Sequence, residues 1–318
     1  MDNHKIIKHR KLIQFLSMLI YNADVKNWFS GNISRSPLKN VCVPGLNCYS
    51  CPGAISSCPL GAIQNTLASG KAPILITGLL LLFGTLFGRA ICAFLCPVGF
   101  IQELIYKIPS PKIPKTKKIE TISQKLQKTK YIVLVLTLTL PLLFYFINGF
   151  ASPYFCQFLC PAGTVEAGWP LVLLQKGLSD SIGFLFKWKT AIAILFILWS
   201  VFSFRPFCKY FCPLGAIYSF FNKTAIFGIK IDSKKCTNCQ KCTKDCKMNP
   251  TSVNSTECIR CGKCISKCDF GALNSNMLCN LSSIKIRKDF RQFTTLIFLD
   301  HEKIMPYRSM DSPKFFRS

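Results

Sequence analysis

Two runs of cysteines near the end of the chain have the spacing of metal ligands. Each run has three cysteines separated by two residues and a fourth after three more. Bacterial ferredoxins use this spacing to bind two [4Fe–4S] clusters, and the fourth cysteine of each run crosses to the other cluster. C-x2-C is also a zinc spacing, but twin runs of four favour iron–sulfur. The predicted ligands are Cys236, Cys239, Cys242 and Cys268 for one cluster, and Cys258, Cys261, Cys264 and Cys246 for the other.

A second cysteine motif is repeated in the first two thirds of the chain. Residues 89–101 align without gaps to residues 205–217, and each copy contains an arginine, C-x3-C-P and a glycine. A third copy (156–163) lacks the arginine, and a fourth (58–63) keeps only the Cys-Pro half. Because proline favours the first turn of a helix, the motif predicts thiols at a helix entrance, where the helix dipole stabilises thiolate.

The two complete copies together supply enough thiols for one cluster. Arg89 and Arg205 would then offset part of the charge of a membrane-embedded iron–sulfur cluster. The alternative is packed free cysteine, which is common in protein cores. Two gapless copies with matching arginines favour the cluster. Its predicted ligands are Cys92, Cys96, Cys208 and Cys212.

The remaining cysteines leave alternatives open. A quartet could form another iron–sulfur site, which we favour, a zinc site or two disulfides. Cys156 and Cys160 are only two ligands, so they either complete a site with the quartet or cycle between dithiol and disulfide. Cys279 stands alone and is expected to be a packed free thiol. The quartet is Cys42, Cys48, Cys51 and Cys58.

The composition is that of a membrane protein with basic loops. Half of the 318 residues are hydrophobic, yet 40 Lys and Arg outnumber 14 acidic residues, which gives a net charge of +26. Placing the Lys-rich segment 107–130 and the chain from residue 222 in the cytoplasm satisfies the positive-inside rule, and both termini then lie there. The apolar segments predicted to span the membrane are 12–29, 72–95, 131–150 and 188–204.

These elements predict two folded parts. Residues 1–221 form a membrane α-helical bundle of about four transmembrane helices, with the cysteine quartet in an outer loop. Residues 222–280 form an α+β two-[4Fe–4S] ferredoxin-like domain, and residues 281–318 form a basic tail. The protein is expected in the cytoplasmic (inner) membrane as a multi-pass protein, with the lipid bilayer as one partner.

Several other functions are excluded or disfavoured. The cations are dispersed and no nucleic-acid motif occurs, so nucleic acid is not an expected partner. His4, His9 and His301 lie outside the apolar segments, which excludes a haem held by two histidines within the bundle. No Rossmann or P-loop glycine motif is present. Glu103 and Glu166 lie near the repeats, where a lone carboxylate is expected to be solvated.

The combination resembles the NapH-type membrane polyferredoxins, with the membrane part of NosR and CcoG as broader relatives. They share four spans, two C-x3-C-P motifs and a C-terminal double ferredoxin, here Cys92/Cys96, Cys208/Cys212 and Cys236 to Cys268. The cysteine quartet and the third C-x3-C-P pair depart from the simpler members. The resemblance implies electron transfer; it does not name the donor or acceptor.

The resulting hypothesis is an electron-transfer component of an oxidoreductase system rather than a stand-alone enzyme. It would carry electrons between the ferredoxin module and a quinone or an outer-side redox partner. Besides two [4Fe–4S] clusters, the membrane half has room for one or two more. The alternative is an assembly or maturation factor that reduces metals or thiols for a partner protein through Cys156 and Cys160.

Overall fold

The chain is mostly helical, and its helices are of very different lengths. The computed structural model describes residues 9–34, 37–114, 116–175, 177 and 182–276. The helices are α1 (Arg10–Tyr21), α2 (Val25–Ser30), α3 (Pro59–Ala68), α4 (Ile74–Phe87), α5 (Ala90–Phe94), α6 (Pro97–Ile105), α7 (Lys117–Leu126), α8 (Thr129–Asn148), α9 (Tyr154–Phe158), α10 (Pro161–Gly163), α11 (Trp169–Leu174), α12 (Phe184–Phe202), α13 (Pro206–Tyr210), α14 (Pro213–Phe221) and α15 (Lys241–Lys244).

Two stretches of the described chain are long and apolar enough to cross a membrane, where four spans were predicted. They are Lys117–Asn148, which contains α7 and α8, and α12. The other two predicted spans are divided. In the segment 72–95, Gly88 has a φ of 54° and ends α4 before α5 begins. In the segment 12–29, Asp24 caps α2 by accepting a hydrogen bond from Asn27 N at 3.4 Å, so α2 begins separately from α1. An apolar segment alone does not show such breaks.

Helices α1, α8 and α12 turn apolar side chains outward and small or polar ones inward. On α1, Arg10, Gln14 and Ser17 are buried. Ser200 of α12 and Thr137 of α8 are also buried. An outward apolar surface of this kind marks contact with a membrane or another protein. The exposed apolar residues include Leu16, Ile20, Ile132, Val135, Leu143, Phe146, Ile194, Leu195 and Leu198.

The short helices that follow each Cys-Pro pack against the two long ones. Helices α3 and α14 lie against α8, and α6 and α10 lie against α12. The segment predicted as an outer loop is consequently part of the core: Cys42, Cys51 and Cys58 are all buried. A π-helical turn, Thr164–Gly168, continues α10.

The ferredoxin segment contains one antiparallel pair of strands, β1 (Gly228–Ile231) and β2 (Leu273–Asn276), with Ile231 opposite Leu273. Arg260 donates to the carbonyls of Asn222 and Phe227, which join this segment to the end of α14. The two predicted domains thus pack within one compact unit. The predicted basic tail (281–318) and Cys279 lie outside the described residues.

Candidate iron–sulfur sites

Every Cys-Pro of the repeats begins a helix, which confirms the predicted helix entrances. The second cysteine is the N-cap residue with extended backbone, and proline is the first helical residue. The first cysteine lies on the preceding one-turn helix, so each pair spans a corner between two helices rather than one helix face. The N-cap cysteines are Cys58, Cys96, Cys160 and Cys212.

The two complete repeats meet. Their four cysteines, Cys92, Cys96, Cys208 and Cys212, are here called the paired-repeat site. Burial, followed by the charges of Cys208, Cys92 and Cys96, raises the pKa of the Cys212 thiol well above its usual value. Burial and Cys92 likewise raise the pKa of Cys96 to about 11. A thiol that is costly to ionise alone becomes a thiolate when it ligates a cationic metal core.

Each arginine of the complete repeats reaches across to the other repeat. Arg205 Nη1 donates to the carbonyl oxygen of Cys92 at 2.6 Å. A Cβ built on Gly99 would lie 2.8 Å from that nitrogen, and one built on Gly215 would lie 3.6 Å from Arg89 Nη2. Both arginines are fully buried. The two repeats therefore pack against each other with approximate two-fold symmetry.

Glu103 neutralises one of these arginines from α6. Its carboxylate oxygens lie 2.8 Å from Arg205 Nη2 and 2.6 Å from Arg10 Nη2. Burial by itself would raise the pKa of Glu103, but Arg205 and Arg10 lower it to about 2. The expectation of a solvated carboxylate is wrong here, because the residue is 5% exposed.

Glu257 pairs with the other arginine. It lies 2.9 Å from Arg89 Nη1 and 2.7 Å from Lys130 Nζ. Arg89 Nη1 also donates to the carbonyl oxygen of Thr256 at 2.9 Å. Because Glu257 immediately precedes Cys258, this ion pair ties the first repeat to the ferredoxin segment.

Gln102 and Gln64 each make one hydrogen bond to a cysteine sulfur and one to a backbone N–H, Gln102 at the paired-repeat site and Gln64 beside Cys156. Gln102 donates to Cys208 Sγ at 3.3 Å and accepts from Phe207 N at 3.2 Å. Gln64 donates to Cys156 Sγ at 3.3 Å and accepts from Phe155 N at 3.0 Å. In both cases the amide holds the first cysteine of a C-x3-C-P pair and the residue before it.

A second group of cysteines, here called the mixed site, consists of Cys48, Cys58, Cys156 and Cys160. Burial, and then the charges of Cys160, Cys58 and Cys48, raises the pKa of Cys156 well above its usual value. Cys58 and Cys160 belong to the same hydrophobic core as Cys96, Cys208 and Cys212. The structure thus brings the third C-x3-C-P pair together with two members of the predicted quartet.

Charged side chains border the mixed site. Cys48 N donates to Glu166 Oε2 at 2.7 Å. Burial raises the pKa of Glu166 to about 7, against the lowering effect of that hydrogen bond. Glu166 is half-buried, and its carboxylate bonds to the protein backbone as well as having partial access to solvent. Lys189 Nζ would lie 3.6 Å from a Cβ built on Gly163.

The two ferredoxin runs have the same backbone conformation. Three positions after the cysteines have positive φ in both runs, which turns successive N–H groups toward one concavity suited to anionic clusters. These pairs are Asn238 and Arg260 (54° and 51°), Gln240 and Gly262 (58° and 74°), and Asn249 and Gly271 (54° and 58°).

The cysteines of these runs lie in two neighbouring groups, and their division between two clusters stays a prediction. Burial, and then the charges of Cys258, Cys261, Cys246 and Cys242, raise the pKa of the Cys264 thiol. Cys246, Cys258, Cys261 and Cys264 are called the proximal ferredoxin site. A cavity of about 340 Å³ is bordered by the other four. This distal ferredoxin site consists of Cys236, Cys239, Cys242 and Cys268.

The cavity of the distal site, bordered by four cysteines, is the feature that fits a four-iron cluster. Within the described residues, no three Cys, His, Asp or Glu side chains converge closely enough to hold one metal ion. Zinc needs four ligands at about 2.1–2.3 Å from one centre. A four-iron cluster keeps its thiolates farther apart and requires a cavity such as that at the distal site. When bound, such clusters would accept and donate single electrons.

Aromatic and apolar side chains connect the sites. The rings of Phe155 and Phe207, which precede cysteines of the mixed and paired-repeat sites, have centroids 6.5 Å apart. Cys92 packs against the same buried cluster as Cys246 and Cys261 of the proximal site. The sites therefore follow one another through a continuous protein core.

A small apolar cavity of about 50 Å³ lies between α6, α10 and α12, with Gln102, Glu166 and Ser200 in its lining. An engineered cavity that binds benzene is about three times larger, at about 150 Å³. This cavity therefore does not by itself form a quinone site.

Four polar residues near these sites, three of them buried and one half-buried, share one position of the repeats, and the motifs alone did not indicate a role for them in the sites. Each lies six residues after the cysteine of a Cys-Pro. Superposing all four copies of C-P-x-G is the signal that could have found them. They are Gln64, Gln102, Glu166 and Tyr218.

Comparison with known families agrees with this geometry. A 4Fe-4S binding domain profile matches residues 69–116, 130–176 and 190–234, and a second 4Fe-4S binding domain profile matches residues 251–274. The first set covers all three C-x3-C-P pairs. The fold and sites thus define an iron–sulfur protein of the ferredoxin type, which transfers electrons.

Relatives are found in archaea and bacteria. MJ0750 of Methanocaldococcus jannaschii, an uncharacterized protein, is 32% identical over 60% of this chain and 73% of its own length. This chain belongs to the same family as MJ0750.

The methylamine utilization ferredoxin-type protein MauN of Methylorubrum extorquens is 28% identical over 76% of this chain and 75% of its own length. The regulatory protein NosR of Stutzerimonas stutzeri is 27% identical over 51% of this chain and 20% of its own length. No solved structure gives a significant match. These relatives confirm the ferredoxin-type resemblance; the NapH type stays a prediction.

Proposed function

We propose that the protein carries electrons through the membrane between its ferredoxin segment and a quinone or an outer-side redox partner. The paired-repeat site is the central relay and binds one [4Fe–4S] cluster. The observation that carries this proposal is the convergence of both complete repeats on that site, next to the proximal ferredoxin site. Cys92 and Cys261 both pack against one buried hydrophobic cluster, which lies beside the two centres.

The ion pairs support a cluster of net negative charge at the relay. Four thiolates around a [4Fe–4S] core of charge 2+ leave a net charge of about −2. Arg89 and Arg205 are both fully buried beside the site, and each is paired with one carboxylate that also binds a second cation. Arg205, Arg10 and Glu103 form one group, and Arg89, Lys130 and Glu257 form the other. Each group has a net charge of +1, and together the two groups balance the charge of the cluster.

The lipid bilayer is the partner of the outward apolar surface. Helices α8 and α12 span it, and the divided segments α1–α2 and α4–α5 complete a four-segment bundle. Non-helical backbone is tolerated at membrane depth where protein covers it. Both chain ends lie in the cytoplasm in this arrangement, together with the Lys-rich segment 107–130.

The distal ferredoxin site is the docking end for a cytoplasmic redox protein. Cys239 is exposed there, whereas Cys258 of the proximal site is buried. Exposed lysines surround the distal site, so the expected partner is acidic near its own redox centre. These lysines are Lys230, Lys234, Lys235, Lys241, Lys244 and Lys267.

The alternative of a thiol-reducing assembly factor is disfavoured. Cys160 is 8% exposed and Cys156 is half-buried within the helical core. A dithiol must reach its target by direct attack of a thiolate. The burial of Cys160 therefore leaves only Cys156 partly exposed to a partner's disulfide or metal.

The test is electron transfer across proteoliposomes by the full chain. Dithionite outside and an encapsulated dye acceptor inside report the rate. The Cys92→Ser, Cys208→Ser double variant should lose about four irons per chain and nearly all transmembrane electron flow. The signals of the two ferredoxin clusters in electron paramagnetic resonance should persist and verify folding. A variant that conducts at the wild-type rate refutes the proposal.

Gln102→Leu should lower the reduction potential of the paired-repeat cluster. The amide hydrogen bond to Cys208 Sγ favours the more negative, reduced state. If that bond is about 1 kcal/mol stronger to the reduced cluster, the shift is about 40 mV. A redox titration followed by electron paramagnetic resonance measures it.

Gln14→Leu is the matched control for this titration. Gln14 donates to the carbonyl oxygen of Cys96 at 2.8 Å and not to a sulfur. Its replacement should leave the potential within about 15 mV of wild type, because the bond to sulfur is retained. Equal shifts for both variants would contradict a specific effect of the amide–sulfur bond.

A further inference from the structure

We infer that the mixed site is a fourth cluster site, whose ligands are Cys48, Cys58, Cys156 and Cys160. The contiguous quartet expected from the sequence is therefore split: Cys48 and Cys58 ligate, and Cys42 and Cys51 do not. Only the role of this cluster as a further relay rests on the proposed function. The iron bound at the mixed site does not depend on the proposed function.

The mixed site is built like the paired-repeat site. In each, a glutamine six residues after the cysteine of a Cys-Pro binds the sulfur of the first cysteine in the opposing pair, at 3.3 Å in both. Gln64 does this for Cys156, as Gln102 does for Cys208. The Cys-Pro corners of residues 58 and 160 thus face each other as those of residues 96 and 212 do.

The residue six positions after the cysteine of a Cys-Pro also indicates that Cys48 is the remaining ligand. In the third repeat this position is Glu166, whose carboxylate accepts the N–H of Cys48 at 2.7 Å. Cys48 Sγ would lie 3.7 Å from a Cβ built on Gly163, and Cys156 Sγ would lie 3.6 Å from one built on Gly61. The two sulfurs therefore approach opposite helix entrances across the site.

Cys42 and Cys51 have different surroundings. Cys42 Sγ lies 3.6 Å from Ser57 Oγ, beside an isolated β-bridge between these two residues. Burial and this hydroxyl account for the pKa of Cys42, and no other cysteine contributes to it. Cys51 N donates to the carbonyl oxygen of Cys48 at 3.1 Å, and Cys51-Pro52 begins a turn, unlike the Cys-Pro of residues 58 and 160, which begin helices.

A lysine takes the place of the arginine that the third repeat lacks. In the complete repeats the glycine after Cys-Pro faces an arginine of the opposing repeat; Gly163 instead faces Lys189 Nζ, 3.6 Å from a built Cβ. Lys189 lies on α12, outside the repeat. Its charge also lowers the pKa of the Cys160 thiol against the effect of burial.

The mixed site also has a packed connection to the relay. Tyr218 is fully buried, and after burial the thiols of Cys92 and Cys58 have the largest effects in raising its pKa. It therefore lies between the paired-repeat and mixed sites, as the ring pair of Phe155 and Phe207 does. A cluster at the mixed site would extend the electron path by one step.

The test is iron and acid-labile sulfide per chain, on the full protein purified without oxygen in mild detergent. Wild type should contain about sixteen irons, and the Cys58→Ser, Cys156→Ser double variant about twelve. Cys48→Ser should also contain about twelve, and Cys51→Ser about sixteen. Cys42→Ser, a buried cysteine of the same segment, is the matched control and should keep about sixteen.

Unchanged ferredoxin signals in electron paramagnetic resonance establish that the variants are folded. About twelve irons in wild type, unchanged in the Cys58→Ser, Cys156→Ser double variant, overturns the fourth site while leaving the relay intact. A loss of four irons in Cys42→Ser or Cys51→Ser overturns the ligand assignment. A wild-type content of sixteen, with the double Cys92, Cys208 variant still conducting, refutes the proposed function and leaves the mixed site standing.

Discussion

Replacing Glu103 by glutamine should destabilise the protein by about 3–5 kcal/mol, because it leaves two arginines buried without their counter-charge. Arg205 and Arg10 both pair with this carboxylate, and all three side chains are at most 5% exposed. For a chain of this size the loss corresponds to on the order of 10 °C in thermal midpoint. Thermal scans in detergent at one scan rate, followed by helical circular dichroism, measure it.

Asp269→Asn is the matched control, since it also removes one carboxylate charge from an ion pair. Its partner Lys241 lies at 2.7 Å, but the two side chains are 67% and 47% exposed. Exposed pairs contribute about 0–1 kcal/mol. The midpoint should therefore move by at most about 3 °C. Equal shifts in the two variants would contradict a structural role for burial of Glu103.

The stabilisation by Glu103 should also depend on pH in a defined direction. Its pKa in the folded protein is about 2, below its ordinary value of 4.5. A lowered pKa stabilises the folded state above the ordinary value, and this contribution is lost as the pH falls from about 4.5 toward 2. The difference in midpoint between wild type and Glu103→Gln should shrink over that interval. A difference that is constant with pH would show that the charge of Glu103 is not its cause.

Local geometry could be predicted from the sequence. Proline fixes φ near the helical value, and each of the four Cys-Pro steps followed by x-Gly starts a helix. Cys236 and Cys268 line one cavity, whereas the cross-over of the fourth cysteine stays a prediction. Within these segments the spacing of a few residues determines the conformation.

Contacts between distant segments could not be predicted in the same way. The repeat indicates that Cys208 and Cys92 are equivalent, but Gln102 meets Cys208 only through the packing of α6 on α12 and α13. Lys189 belongs to no motif, and its position beside Gly163 depends on how α12 lies across the third repeat. The break at Gly88 is equally invisible, because glycine is common within membrane helices.

Gly99→Ala should impair the paired-repeat site, whereas Gly215→Ala should not, although the two glycines are equivalent in the repeat. A Cβ at Gly99 would lie 2.8 Å from Arg205 Nη1 and 3.1 Å from the carbonyl oxygen of Cys92. At Gly215 the nearest atom, the carbonyl oxygen of Cys208, would lie 3.4 Å away, an ordinary contact. Alanine otherwise favours a helix over glycine by about 1 kcal/mol.

Arg205 cannot relieve the clash by moving. Its Nη2 is held by Glu103 at 2.8 Å, Nη1 by Cys92 O at 2.6 Å, and the side chain is fully buried. Overpacking of this kind costs about 1–3 kcal/mol. Gly99→Ala should therefore lose about four irons per chain and lower the thermal midpoint, while Gly215→Ala keeps its iron and is as stable as wild type or slightly more so. Because both substitutions add one methyl group to the first turn of equivalent helices, equal behaviour would mean that the arginine of the second repeat does not pack against Gly99.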